Sequence, residues 1–340
     1  MGPMHEQPTS PEDLAALLAS TGYLADDGLA TAGYLALRLG RPLFLEGDAG
    51  VGKTAFASAL AQATGAHFVR LQCYEGLDAT QALYDWDFPR QILHLRAAEA
   101  AARAAGSAAG TAGAAGAAGT AGAAGTAGTA GTAGTDGAAG TDGATGARID
   151  ADTLEAGLYD RRFLIARPLL RALERSPTVL LVDEVDRADD EFEAFLLEVL
   201  ADAAVTIPEL GRIAAETPPL TVLTSNRTRE VHDALKRRCL YHWVEHPDVD
   251  REVAILRSRL PEVTDRLATQ VATAAKRMRE LDLIKPPGVA ESLDWAGALI
   301  TLGSPDLTAG TAAATLGAVL KYREDTDRVR AAGLATLLEP

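Results

Sequence analysis

With 340 residues, the chain is long enough for about two domains of ordinary size. Its 47% hydrophobic and 23% charged residues are the balance of a packed globular protein and exclude a disordered chain. A net charge of −15 argues against nucleic acid or an anionic membrane as the main partner, and two cysteines are too few for a disulfide framework, so a reducing, cytoplasmic setting is expected.

Residues 1–10 are polar and read as a disordered tail. The first apolar stretch, Leu14 to Leu18, is too short for a secretory leader. Ser10-Pro11-Glu12-Asp13 is a helix start, with a capping hydroxyl, proline in the first turn and an acid three residues on. Helices are predicted over 11–19 and 26–39, a short buried strand over Leu43–Glu46, and a helix over Ala55–Thr64. His67–Cys73 reads as a second strand and Ala79–Ala105 as mostly helix.

Residues 106–147 contain only Gly, Ala, Thr, Ser107, Asp136 and Asp142, with glycine at every third position from Gly110 to Gly146. That is the collagen period, but collagen needs proline and this stretch has none. Without large apolar side chains it cannot offset the cost of ordering its backbone, and the same lack rules it out as a membrane span. It reads as a flexible insertion.

Leu164–Arg175 is a predicted helix, and Val179–Val182 and Leu220–Thr224 are β-rich apolar runs, each following a proline. Strands alternating with helices imply an α/β fold, a parallel sheet covered on both faces. From Asp250 onward the pattern is only helical. The expected division is an α/β core over 11–247, carrying the 106–147 insertion, and a small α-helical domain over 248–340.

Gly47-Asp48-Ala49-Gly50-Val51-Gly52-Lys53-Thr54 matches the G-x-x-x-x-G-K-[ST] phosphate loop, between a predicted strand and a predicted helix. Glycines let successive amides turn inward around phosphate oxygens, and the helix N-terminus adds its positive end. Lys53 would reach the β- and γ-phosphates of ATP, and the Thr54 hydroxyl would ligate Mg²⁺. Val179-Leu180-Leu181-Val182-Asp183-Glu184 supplies the other half: Asp183 at the strand end to hold Mg²⁺ through water, and Glu184 to activate the attacking water. Asn226, ending the third strand, is a candidate for contacting the γ-phosphate or that water. In Lys236-Arg237-Arg238, a planar guanidinium is a candidate arginine finger. Deleting Ser107–Gly146 is expected to leave ATP turnover nearly unchanged, because a loop closes at small cost whatever its length; a steady-state ATPase assay checks this.

These residues resemble the AAA+ ATPases of the MoxR type, closest to the CoxD-like branch. The resemblance rests on the phosphate loop, Leu71-Gln72-Cys73-Tyr74-Glu75-Gly76-Leu77-Asp78, Val179–Asp190, Glu191–Glu198, Thr224–Cys239 and Lys285–Trp295. It implies a P-loop core followed by a helical lid, and a ring of six subunits with ATP between neighbours. Lys53, Thr54, Asp183 and Glu184 would act from one subunit, Asn226 as first sensor, and Arg238 or Arg237 from the next. It also implies a β-hairpin over Val205–Ile213, a metalloenzyme client such as a molybdenum carbon monoxide dehydrogenase, and a partner with a von Willebrand factor A domain. One departure stands out. Many relatives place a second-sensor arginine early in a lid helix, whereas Gly288–Trp295 has none and carries Glu291 there; Lys285 is a candidate substitute.

His242-Trp243-Val244-Glu245-His246 matches the inverted zinc-protease pattern H-x-x-E-H, but that chemistry needs a helix and the run reads as a strand. Cys73 and Cys239 read as packed thiols, and Trp243 and Trp295 as core or interface residues. Two competing readings come from other classes: a nucleotide-gated assembly scaffold with little turnover, and a DNA-directed motor.

Overall fold

The computed structural model describes residues 8–114 and 157–338; residues 1–7 of the expected tail and 115–147 of the expected insertion lie outside them. The chain forms two compact units, one of residues 1–84 with 166–340 and one of residues 85–165.

In the first unit, α1 (Pro11–Ser20) begins as its sequence dictates: Ser10 accepts the Asp13 amide at 3.1 Å, and Pro11 sits where a missing N–H costs nothing. Asp26 caps α2 (Asp27–Leu39) by accepting the Leu29 amide at 2.7 Å. Then come β1 (Leu43–Glu46), α3 (Lys53–Thr64), β2 (His67–Gln72) and α4 (Ala79–Leu83).

The predicted helix over 79–105 is interrupted. Tyr84–Trp86 forms a short strand, β3, paired with β4 (Leu164–Ala166). Aromatic residues at 84 and 86 favour extended backbone. The Asp87 carboxylate then caps a new helix by accepting the Arg90 amide at 3.1 Å. That helix, α5 (Phe88–Ala114), belongs to the second unit and runs into the Gly/Ala/Thr segment, so residues 106–114 are helical and not a linker; alanine, the strongest helix former, outweighs the scattered glycines there. A deletion meant to spare the helix therefore starts after Ala114. The predicted helix over 164–175 also begins late, as α6 (Pro168–Glu174). Pro168 forces Arg167 into extended backbone (ψ 176°), which leaves β4 outside the helix.

The first unit continues with β5 (Thr178–Asp183), α7 (Asp190–Asp202), β6 (Ala204–Ile207), β7 (Gly211–Ala214), β8 (Leu220–Ser225), α8 (Asp233–Arg238) and β9 (Leu240–Trp243). β6 and β7 form the antiparallel hairpin expected over 205–213. Five strands form one parallel sheet in the order β2-β5-β8-β1-β9, the α/β architecture the sequence implied. Leu43 of β1 lies opposite Val222 of β8 and Leu240 of β9, and Gln72 of β2 lies opposite Asp183 of β5. All five carboxyl ends therefore share one edge of the sheet. β1 and β5 are buried along their whole length, as near-continuous apolar runs in a two-sided sheet must be.

One core lies between the sheet and α1–α3, with Leu14, Leu29, Phe56, Leu60, Leu45 and Leu181 inaccessible to solvent. Burying each such side chain is worth about 1.5–3 kcal/mol. The helices from Val249 onward are α9 (Val249–Arg259), α10 (Asp265–Arg279), α11 (Val289–Thr301), α12 (Ala309–Val319), α13 (Arg323–Ala332) and α14 (Leu334–Leu338). Their core centres on Trp295, whose indole N–H donates to the Thr315 hydroxyl at 2.7 Å. Along α10, Leu267, Val271, Ala274, Ala275 and Met278 make the buried stripe at three- and four-residue spacing.

Candidate active site

Between β1 and α3 the chain turns tightly over residues 47–52. Gly52, which opens α3, has φ 99°, backbone that side chains other than glycine rarely adopt. The unsatisfied first amides of α3 face the loop, an anion-binding arrangement made by backbone alone. Lys53 is buried, and its ammonium donates to the Gly47 and Asp48 carbonyls at 2.7 Å each. Desolvation pulls its pKa below the ordinary lysine value, opposed by Asp48, Asp186, Asp183 and Glu184.

Asp183, at the carboxyl end of β5 and almost fully buried, is the centre of the site. The Thr54 hydroxyl lies 3.0 and 3.2 Å from its two oxygens, and the Thr224 hydroxyl donates to Oδ1 at 2.5 Å. The phosphate loop and the second motif, 129 residues apart in sequence, thus meet directly. A hydroxyl and a carboxylate are hard oxygen donors of the kind Mg²⁺ takes alongside water and phosphate, so these residues fit that ion. Among the described residues no cluster of three or more His, Cys, Asp or Glu could hold a metal on its own.

Glu184 follows in the left-handed region (φ 55°), a strain of about 1–3 kcal/mol that persists only where the surroundings dictate it. They do: its amide donates to the Thr224 hydroxyl at 2.9 Å, and its carboxylate is held from three sides. Asn226 Nδ2 donates to Oε1 at 3.2 Å, Gln72 Nε2 to Oε2 at 3.1 Å, and Arg187 pairs with Oε2 at 3.2 Å. Buried Asp186 fixes the Asn226 turn by accepting the amides of Asn226 (3.3 Å) and Thr228 (2.8 Å).

Gly47–Thr54, Asp183, Glu184 and Asn226 therefore converge, while Arg237 and Arg238 do not join them. α8 immediately precedes β9, which puts both arginines at the amino-terminal edge of the sheet, opposite the phosphate loop. Arg41, just before β1, donates to the carbonyls of Arg237 (3.1 Å), Arg238 (3.4 Å) and Cys239 (3.3 Å) and fixes that turn. Both guanidinium groups face outward; Arg238 donates to the Leu197 carbonyl at 2.8 Å and Arg237 pairs loosely with Asp233 at 3.9 Å.

Three polar residues were missed in the sequence reading. Arg70 and Gln72 share one face of β2, and Thr224 is the next-to-last residue of β8, between the two motif strands. Alternation along His67–Gln72 was a usable signal for the first two, since a polar pair on a strand beside an acidic strand end asks for a partner.

The turn before α11 rests on the phosphate loop. A Cβ on Gly288 would stand 2.8 Å from the Ala49 carbonyl oxygen and the Gly50 backbone, so the approach is backbone to backbone. The Val289 amide donates to the Gly50 carbonyl at 3.0 Å. Glu291, where a second-sensor arginine was expected, accepts the Gly288 amide at 3.0 Å, with Lys285 3.7 Å from its other oxygen. His242 and His246 pair with different acids, Asp26 at 3.6 Å and Asp48 at 3.3 Å, and His242 lies on β9, so the zinc-protease pattern is dismissed as expected. Both cysteines are buried and desolvation pushes each thiol up to about 12, which suits packed and unreactive groups.

Residues 43–105 match the model of the ATPase family associated with various cellular activities (AAA). No curated protein matches the chain. Among solved structures it is similar to the RuvB Holliday junction branch migration motor of Thermotoga maritima, at 13% identity over 92% of this chain and 72% of that one, with a TM-score of 0.44. A point mutant of that RuvB matches at 13% identity over 94% and 75%, with a TM-score of 0.45. The family match spans the phosphate loop, and the enzymatic activity it supports is ATP hydrolysis.

Proposed function

We propose that this is a MoxR-type AAA+ remodelling ATPase working as a ring, hexameric by the resemblance, with ATP between neighbouring subunits. The observation that carries the reading is the direct meeting of Thr54 with Asp183 beside Lys53 and Glu184, with Arg237 and Arg238 on the opposite edge of the same sheet. A finger on that edge serves only a neighbour's nucleotide.

In this reading the amides of Gly47, Asp48, Ala49, Gly50, Val51 and Gly52 and the Lys53 ammonium bind the phosphates. Thr54 directly, and Asp183 through water, would hold Mg²⁺, which supplies charge neutralisation at the β- and γ-phosphates. Asn226 orients the attacking water. Glu184 takes its proton as the new oxygen–phosphorus bond forms and the bond to the β-phosphate oxygen breaks. Arg238, with Arg237 beside it, stabilises charge on the neighbour's γ-phosphate.

The finer assignment draws on the MoxR-like stretches and on the hairpin β6–β7 preceding the Asn226 strand. It names a metalloenzyme client, such as a molybdenum carbon monoxide dehydrogenase, a von Willebrand factor A-domain partner and a cytoplasmic setting. No helix among the described residues is long and apolar enough to cross a membrane.

Glu184→Gln is expected to lower ATP turnover by about 10²–10⁴-fold while nucleotide binding persists. The assay is steady-state turnover over a range of protein concentrations, with the same variant used to trap partners from native cells. Equal inactivity of wild type and variant at every concentration, partner included, would replace the machine by a scaffold. Salt-dependent stimulation by duplex DNA would replace it by a DNA motor. Recovery of a von Willebrand A-domain protein with a metalloenzyme supports maturation; recovery of neither removes that assignment and leaves the ATPase.

A further inference from the structure

Asp183, Glu184 and Asp186 place three carboxylates within four residues at the end of β5, two of them almost fully buried. A buried carboxylate needs a cation or a set of donors. Lys53 does not pair with Asp183, because its ammonium is spent on the Gly47 and Asp48 carbonyls. The cation on Asp183 is Arg70. Its Nε and Nη2 both donate to Oδ2, at 3.0 and 2.6 Å, and Nη2 also donates to the Gln72 amide oxygen.

The two oxygens of Asp183 are therefore divided. Oδ1 accepts the Thr224 hydroxyl at 2.5 Å and Oδ2 is held by the guanidinium, with the Thr54 hydroxyl 3.0 and 3.2 Å from the two. An ion that Thr54 would hold directly and Asp183 through water would need the Oδ2 side of that carboxylate for its water, and the Arg70 guanidinium in contact there would both occupy the oxygen and repel the ion. Arg70 is able to leave. Its side chain is 49% exposed, it stands on β2, the edge strand of the sheet, and its outer end has water to return to.

We propose that Arg70 is a displaceable counter-cation of the metal-holding carboxylate: it neutralises Asp183 before the metal arrives and is exchanged for Mg²⁺ when ATP brings the ion in. This rests on the reading that Thr54 and Asp183 hold Mg²⁺. The exchange reaches Glu184 as well. Gln72 accepts from Arg70 through its oxygen and donates to Glu184 through its nitrogen. When Arg70 swings out, the amide that tethers Glu184 loses its own anchor, so arrival of the metal loosens one of the three restraints on that carboxylate. Arg70 is a positioning residue and touches no reacting atom.

The test is a Mg²⁺ titration of the binding of a fluorescent ATP analogue to the full chain, with binding in EDTA measured in parallel. Wild type is compared with Arg70→Ala, Arg70→Gln and Arg70→Lys, and thermal melts identify variants that remain folded. Removing the competitor in Arg70→Ala and Arg70→Gln is expected to lower the half-saturating Mg²⁺ concentration by roughly tenfold, the worth of one charge-assisted hydrogen bond, with EDTA binding unchanged. Arg70→Lys keeps a cation and should stay near wild type. An unchanged midpoint in the folded variants overturns the proposal. So does a raised midpoint, which would make Arg70 a direct ligand of the nucleotide. If wild type binds no analogue with or without Mg²⁺, the nucleotide reading itself fails, an outcome distinct from both.

Discussion

Arg238→Ala is expected to lower ATP turnover by about 10³–10⁵-fold while leaving the nucleotide affinity of the separate chain unchanged. The first half follows from the chemistry of a guanidinium at a transferring phosphoryl group, and the second from position. Arg238 lies at the amino-terminal edge of the sheet, where the same chain's phosphate loop is out of reach. Its side-chain hydrogen bond to the Leu197 carbonyl is exposed, so folding loses little. Arg238→Lys should not restore the rate, because an ammonium lacks the planar fork that spans two phosphate oxygens. The decisive measurement mixes two inactive proteins. Lys53→Ala keeps an intact Arg238 but cannot grip phosphate, and Arg238→Ala keeps an intact phosphate loop. Turnover that reappears on mixing places the arginine in the neighbour's site, and a mixture that stays inactive removes that role. Arg237→Ala in the same assay separates the two adjacent candidates.

Breaking the ion pair between Glu252 and Arg279 should be the costliest single change to stability outside the hydrophobic cores. Glu252 is fully buried and Arg279 is 10% exposed, and the pair is bidentate, with contacts of 2.7 and 2.8 Å. The remaining Nε donates to the Pro287 carbonyl at 2.7 Å, which ties α9 and α10 to the turn lying on the phosphate loop. Arg279→Ala leaves Glu252 charged and without its partner in the interior, a loss of about 3–5 kcal/mol. That corresponds to a fall in Tm of roughly 10 °C by calorimetry. Replacing both partners with apolar residues of similar size, as Glu252→Leu with Arg279→Met, should recover most of it, because the desolvation of two charges disappears with them. A single variant melting within about 2 °C of wild type would show that the pair adds little.

The parts of the fold legible in sequence were those with strong local chemistry. Glycine spacing before Lys53-Thr54 and an apolar run ending in Asp183-Glu184 fix both strand ends and the loop, and the sheet places them together. Asn226 was legible for the same reason, as an amide at the end of a β-branched run. What escaped depends on which distant segments become neighbours. β3 and β4 are three-residue strands far apart in sequence, too short for propensity to mark, and each exists through the other. Arg70 and Gln72 fall within the predicted strand over His67–Cys73, with no motif around them. Nothing local says that β2 lies beside β5 in a register that sets Gln72 against Asp183. The end of α5 was missed because a tract of Gly, Ala and Thr offers no amphipathic period, yet alanine holds the helix as far as Ala114.

The contact of Gly288 and Val289 with Gly50 joins the helices from Val249 onward to the phosphate loop through main chain. An arginine reading a phosphate works through net charge, and such a link weakens as ionic strength rises. Here the link is an amide meeting a carbonyl at 3.0 Å, with the Glu291 carboxylate lying against Gly50 beside it. Peptide groups carry no net charge to screen, so the main-chain part of this contact is indifferent to ionic strength. The acidic residue at 291 has a structural place where a cation would be expected: its carboxylate accepts the Gly288 amide and holds that turn against the loop.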